Sequence, residues 1–271
     1  MRIAIIADIH GNLPALEAVL TTLDAMKPDQ VIVAGDIVDG APDSAACWAC
    51  IKAMGWPILR GNHERYVMDY GTERAEPVWS TPQFAPLQYT HRTMSTAQRA
   101  EMALLPMEWH SEAAPGLLIV HASQRSDADS ILPHTPAAEI DAMFSEPGAQ
   151  FIVRSHNHIG STREWRGRRI VTTGAVGLPL DGQTRAQFCL VTLRDRCWAV
   201  EHHAVRYDVA AAERRFHDSG YLNETGTLGR MFMREVTTGA HHVVPFLRYY
   251  GLRKQLETGL SIAQAEKEFF L

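Results

Sequence analysis

Along the first 160 positions, short apolar runs end again and again on the same few polar residue types. Residues 3–7, 31–34, 58–59, 116–120 and 151–153 are apolar, and they lead into Asp8-Ile9-His10, Gly35-Asp36, Gly61-Asn62-His63-Glu64, His121 and His156-Asn157-His158. The longer runs are continuous rather than alternating, which suits strands buried on both faces. Between the first two, Asn12 and Pro14 mark a helix start. Leu13, Leu16, Val19, Leu20 and Leu23 then recur at helical spacing as far as Met26. A strand-helix-strand unit with a right-handed crossover makes the two strands parallel and brings their C-terminal ends to one edge of the sheet. Open α/β sheets collect ligands at that edge.

The pattern continues with a helix over 42–53, carrying Cys47, Trp48 and Ile51 inward, and a third strand at 58–59. Residues 65–94 break the rhythm: a helix start, then an irregular, aromatic-rich, cap-like excursion with Pro77, Pro82 and Pro86. Ser95 caps a helix that Pro106 ends, and another helix is expected near 136–144. Residues 162–165, 169–172, 186–193 and 198–204 read as short strands of a second, antiparallel or mixed sheet. Beyond Tyr207 the chain reads as helices. The expected organisation is a core over 1–206, with the 65–94 insertion, and a helical extension over 207–271.

The 271 residues are 46% apolar with a formal net charge of −5, a globular composition that argues against extended nucleic-acid binding. Four cysteines, at 47, 50, 189 and 197, make no disulfide framework and fit a reducing compartment; Cys47 and Cys50 lie in a helical segment without a second zinc-ligand pair. No apolar run has membrane-spanning or signal-peptide length, so a cytoplasmic protein with no membrane contact is expected. A homodimer is compatible with the sequence. The His202-His203 and His241-His242 pairs are expected at the surface.

Asp8, His10, Asp36, Asn62, His121, His156 and His158 are an oxygen and imidazole set without thiolate, suited to Mn, Fe, Ni or catalytic Zn. Seven ligands exceed one small ion and fit two divalent ions if one carboxylate bridges them, an arrangement that serves phosphate ester hydrolysis. His63, next to Asn62, is expected to point toward substrate as a proton donor or charge stabiliser, with Asp39 fixing its tautomer. Arg60, Arg65, Arg125 and Arg154 are candidate phosphate contacts, Arg60 and Arg65 first because they flank the central motif.

Taken in order, Asp8-x-His10, Gly35-Asp36-x-x-Asp39-Gly40, Gly61-Asn62-His63-Glu64, His121 and His156-x-His158 resemble the five motifs of the calcineurin-like metallophosphoesterases. Residues 171–186 are similar to a stretch of the family's small bacterial and archaeal phosphodiesterase branch, with Thr172, Thr173, Ala175 and Leu180 departing from it. The resemblance implies a four-layer α/β/β/α sandwich of two mixed sheets. It places Asp8, His10, Asp36 and His158 on one metal and Asp36, Asn62, His121 and His156 on the other, with His63 and Asp39 catalytic. It implies a hydrolase in which a metal-bridging hydroxide attacks phosphorus in line, on a small phosphorylated substrate such as a phosphodiester or a nucleotide. Dinucleoside polyphosphate hydrolysis is the alternative activity. A non-enzymatic scaffold of the same fold is the other alternative, and the complete ligand set argues against it. Gly40 stands where the Ser/Thr protein phosphatases have Arg, which points away from phosphoprotein substrates, and Ser155 stands where the family has Gly.

Overall fold

A computed structural model describes residues 1–144, 148–257 and 259–271. Strand β1 (Arg2–Ile6) leads to α1 (Leu13–Met26), whose first turn is capped by the Asn12 side chain accepting from the Ala15 N–H. Lys27 turns the chain into β2 (Gln30–Val33), which pairs in parallel with β1. Helix α2 (Ser44–Met54) follows. The expected third strand shrinks to a single bridge between Val33 and Ile58, because the chain turns off into helix α3 (Asn62–Asp69) within three residues of Leu59.

Residues 65–94 are more regular than their prolines suggest: after two short 3-10 turns comes helix α4 (Ala85–Thr93), with Pro86 tolerated in its first turn. Helix α5 (Thr96–Met102) has the expected Ser95 cap. The pairing β3 (Glu108–Trp109), β4 (Leu117–Val120), β5 (Phe151–Arg154), β6 (Ser161–Trp165) and β7 (Arg168–Thr172) builds one sheet in the order β3-β4-β5-β7-β6, with α6 (Ala137–Met143) between β4 and β5 in the chain.

The last two strands do not join that second sheet as expected. Strands β8 (Arg185–Arg194) and β9 (Cys197–Arg206) return to the first, whose order is β2-β1-β8-β9. The burial of β8 gives the reason: residues 186–192 are buried on both faces, so the strand must lie inside a sheet with cover on each side. Both sheets are mixed.

Three apolar clusters mark the layers. Ala4, Ile6, Phe188 and Leu190 pack under Leu16, Val19, Trp48 and Ile51 of α1 and α2. Ile3, Ile5, Cys189 and Val191 meet Leu117, Ile119, Phe151 and Val153 between the sheets. Leu118, Val120, Ile152 and Ile170 take Ile140 and Met143 of α6 on the far side. The result is the four-layer α/β/β/α sandwich. Its two sheets present the C-terminal ends of β1, β2, β4 and β5 together.

The C-terminal helices are α7 (Val209–Asp218), α8 (Tyr221–Thr238, broken at Gly226), α9 (Val243–Leu256) and α10 (Ile262–Phe269). Phe216, Tyr221 and Val236 pack on Ala41, Tyr89 and Leu178, and the Tyr221 hydroxyl donates to the Gly40 carbonyl at 2.7 Å. Among the described residues no helix is long and apolar enough to cross a membrane.

Candidate metal centre

The residues after β1, β2 and β5 leave their strands by an abrupt change of backbone. Asp8, His10, Asp36, Asp39, His156 and His158 all have φ between 50° and 66°. Such values are uncommon outside glycine and cost on the order of 1 kcal/mol or more each. Six of them around one point mean that the surrounding structure imposes them, and they turn each side chain back over the strand ends. Close crossing of the loops adds to this. A Cβ on Gly61 would lie 2.1 Å from Asp36 Oδ1, so only glycine lets the Asn62 turn pass over the Asp36 turn.

The side chains form two clusters that share one carboxylate. Asp8, His10, Asp36 and His158 offer ligand atoms within 4.8 Å of one another, and so do Asp36, His121 and His156. Asn62 Oδ1 joins the second, 3.1 Å from His121 Nε2 and 2.9 Å from His156 Nδ1. Asp36 Oδ2 lies 3.3 Å from His121 Nε2 and 3.7 Å from His10 Nε2. All seven residues singled out in the sequence as ligands are therefore brought to one place.

Two observations test whether a cation fits. Both carboxylate oxygens of Asp8 are buried and have no hydrogen-bond partner among the described residues, a costly state for an anion unless something positive sits against it. The ring nitrogens carry the second. His10 Nδ1 lies 2.7 Å from the Asp39 carbonyl and His158 Nδ1 2.8 Å from the Leu178 carbonyl, so each Nδ1 carries the proton as donor. Their Nε2 atoms are then bare lone pairs, and they face each other at 3.1 Å. His121 is held likewise, Nδ1 to the Ala34 carbonyl at 2.8 Å. Lone pairs converging on a buried carboxylate suit a divalent metal, and backbone carbonyls orienting the far nitrogens are the usual support for it.

The proton equilibria agree in part. Burial pushes the pKa of His10 well below its ordinary value, that of His156 down to about 3 and that of His158 down to about 4, leaving them neutral as ligands must be. His121 differs: burial opposes its charge, but Asp36 prevails and raises it to about 9. Burial raises Asp8 to about 8 against the pull of His121, with Asp36 adding repulsion.

His63 stands beside the first cluster, its ring 4.6 Å from that of His10 and its Nδ1 2.9 Å from Asp39 Oδ2. Burial disfavours its charged form, yet Asp36 and the Asp39 hydrogen bond outweigh this and raise its pKa to about 9.

The arginines divide. Arg154, expected at a phosphate, is fully buried and donates to the Ala122 and Asp129 carbonyls, so it ties loops together instead. Arg125 is taken by Asp129 at 2.8 Å. Arg65 donates through two nitrogens to Asp127, and Arg60 lies 3.8 Å from the same carboxylate. Ser155 fits without strain, its hydroxyl 3.2 Å from the Ala34 carbonyl and 3.1 Å from His121 Nδ1. Of the surface histidines expected, His203 is half-buried and stacks on Phe188. Cys47 is buried in α2, where burial raises its thiol pKa far above the ordinary value.

Sequence reasoning missed Glu64. Its buried carboxylate accepts from the N–H groups of Asp36, Ile37 and Gly61 at 2.8, 2.7 and 2.8 Å, locking together the two turns that carry Asp36 and Asn62. The signal was present: Glu three residues after a glycine N-cap is capping-box spacing. Tyr66, whose ring is 5.4 Å from that of His63, was absorbed into the aromatic excursion although it lies on the same helix face.

The sequence profile of calcineurin-like phosphoesterases matches residues 1–160. Over 227 residues the chain is 23% identical to an uncharacterised protein of Methanocaldococcus jannaschii, an overlap of 78% of this chain and 89% of that one. A metallophosphoesterase from Sphaerobacter thermophilus superposes with a TM-score of 0.69 at 25% identity, over 89% of this chain and 100% of that one. A hypothetical protein from Pyrococcus horikoshii gives 0.71 at 20% identity, over 89% and 99%.

Proposed function

Since the chain belongs to the calcineurin-like phosphoesterase family, we propose that it hydrolyses a phosphodiester or nucleotide-type phosphate bond with two divalent metal ions, one held by Asp8, His10, Asp36 and His158, the other by Asp36, Asn62, His121 and His156. The observation that supports this most is the pair of ligand clusters meeting at one Asp36 carboxylate. Ions bound there would neutralise phosphoryl oxygens and lower the pKa of a water molecule.

The chain's own residues do the rest. Asp36 and the neutral imidazoles fix where the phosphoryl group sits. His63, protonated near neutral pH and beside the first cluster, would meet the leaving oxygen. As the water oxygen bonds to phosphorus it releases a proton to solvent, the bond from phosphorus to the leaving oxygen breaks, and that oxygen takes the His63 proton. Asp39 accepts the Nδ1–H, fixing the tautomer and offsetting the imidazolium charge. Burial of Asp8 and His10 keeps bulk water from competing for the charges.

The test compares metal-stripped protein with and without Mn²⁺ on bis(p-nitrophenyl) phosphate, p-nitrophenyl phosphate and diadenosine tetraphosphate, alongside Asp36→Asn. Metal-dependent turnover that the variant lacks is expected. Folded protein that binds no metal would replace the reading with a scaffold role.

A further inference from the structure

Arg60 and Arg65 flank the turn that carries Asn62 and His63, and both guanidinium groups converge on Asp127. That carboxylate, 5% exposed in the loop after β4, accepts from Arg65 Nε and Nη2 at 2.8 and 2.9 Å. Arg60 Nε stands 3.8 Å away from it. Two cations on one anion leave a surplus of one positive charge. Neither arginine forms another ion pair among the described residues.

Arg60 is also poorly satisfied. Among the described residues its Nε is buried without a hydrogen-bond acceptor, and its Nη2 meets the Met107 thioether at 3.0 Å, a weak acceptor. A buried guanidinium N–H with no acceptor is a state that folded proteins avoid or use. Both side chains remain within reach of solvent, Arg60 at 24% and Arg65 at 28% exposure.

The cluster is coupled to the metal centre through one aromatic ring. Tyr66 lies under the Arg65 guanidinium at 4.8 Å and meets the His63 ring at 5.4 Å, and its hydroxyl lies beside the Asn62 side chain. Trp79, nearly fully buried, backs it at 5.2 Å. His63, Tyr66, Arg65, Asp127 and Arg60 are therefore linked in one chain of contacts that begins beside the metal ligands. Among the described residues neither guanidinium has a hydrogen bond or ion pair to a metal-ligand side chain, and Arg65 adjoins them through the Tyr66 ring.

We propose that Arg60 and Arg65, braced by Asp127 and Tyr66, form a second anion subsite, so that the substrate carries phosphoryl groups linked in a chain, as in a nucleoside or dinucleoside polyphosphate. The inference rests on the phosphoesterase reading and narrows it. Two arginines on a chain of net charge −5 hold a short polyanion, not a nucleic-acid backbone.

The test uses the full metal-loaded chain and compares kcat/KM for diadenosine tetraphosphate with that for bis(p-nitrophenyl) phosphate, which has a single phosphoryl group. Arg60→Gln, and independently Arg65→Lys, which keeps the charge but loses the two-pronged bond, are expected to lower the ratio of the two values at least tenfold, mainly through KM of the chain substrate. An unchanged ratio in both variants overturns the subsite. If the wild type turns over neither substrate, the phosphoesterase reading fails separately. Calorimetric titration of the metal-stripped chain with inorganic tripolyphosphate then decides the subsite: weaker binding by Arg60→Gln supports it, and equal affinity overturns it.

Discussion

Removing metal from this protein should make its stability depend steeply on pH, in a direction the ligand set dictates. In the metal-free fold Asp8 titrates at about 8, and His63 and His121 at about 9, all above their ordinary values. His156 and His158 titrate at about 3 and 4, below theirs. The raised groups contribute stability that is present at low pH and is lost as pH climbs to their folded values. The lowered histidines do the opposite and withdraw stability as pH falls below about 6.5. Above pH 6.5 the unfolded chain has released the protons that Asp8, His63 and His121 still hold in the fold. Three protons give a slope of at most roughly 4 kcal/mol per pH unit, and stability falls from about pH 6.5 toward 9. Bound metal requires the deprotonated ligands, so of the three only His63 is left to titrate in the loaded protein. Thermal unfolding in EDTA and in Mn²⁺, from pH 5.5 to 8.5, reads the difference. Metal-free protein should peak near pH 6.5 and lose on the order of 10 °C by pH 8.5, while the loaded protein, with only His63 left to titrate, loses about a third of that. Parallel curves with and without metal would refute the assignment of these groups to the metal site.

Four substitutions probe the supports of the centre. His63→Ala should keep metal binding, measured by atomic absorption after gel filtration, and lower kcat roughly 10²–10⁴-fold; Asp39→Asn should act in the same direction with a smaller loss. Glu64→Gln replaces a carboxylate oxygen that accepts backbone N–H groups with an amide NH2 that cannot, and should lower stability by about 1–3 kcal/mol in urea unfolding and weaken metal affinity roughly 10–100-fold. Tyr221→Phe removes the buried bond from α8 to the Gly40 carbonyl, with an expected loss of about 1 kcal/mol and metal content unchanged.

The sequence reveals local and repeated features of this fold and conceals what depends on distant partners. An apolar run followed at once by Asp or His is visible without knowing its neighbours, so the strand ends and the seven candidate ligands could be named. The left-handed backbone at Asp8, Asp36 and His158 could not, because nothing in the pattern requires it; the crossing of loops does. Strand β8 shows the boundary well. Its run from Ala186 to Leu190 is buried without alternation, which marks an interior strand, but its antiparallel partner β1 lies some 180 residues earlier and leaves no local trace.

The same limit explains the arginines. Arg60, Arg65, Arg125 and Arg154 look alike in sequence, each near a motif. They differ only in what stands opposite them: carbonyl oxygens for Arg154, Asp129 for Arg125, and for Arg60 and Arg65 a shared Asp127 more than 60 residues away. An arginine whose guanidinium is fully used by the protein has nothing left for a ligand. One that shares its carboxylate with a second cation, and has a thioether in place of an oxygen, does. That imbalance separates Arg60 from the rest, and it makes this wall of the site, rather than the arginines after the later strands, the place where substrate choice is to be sought.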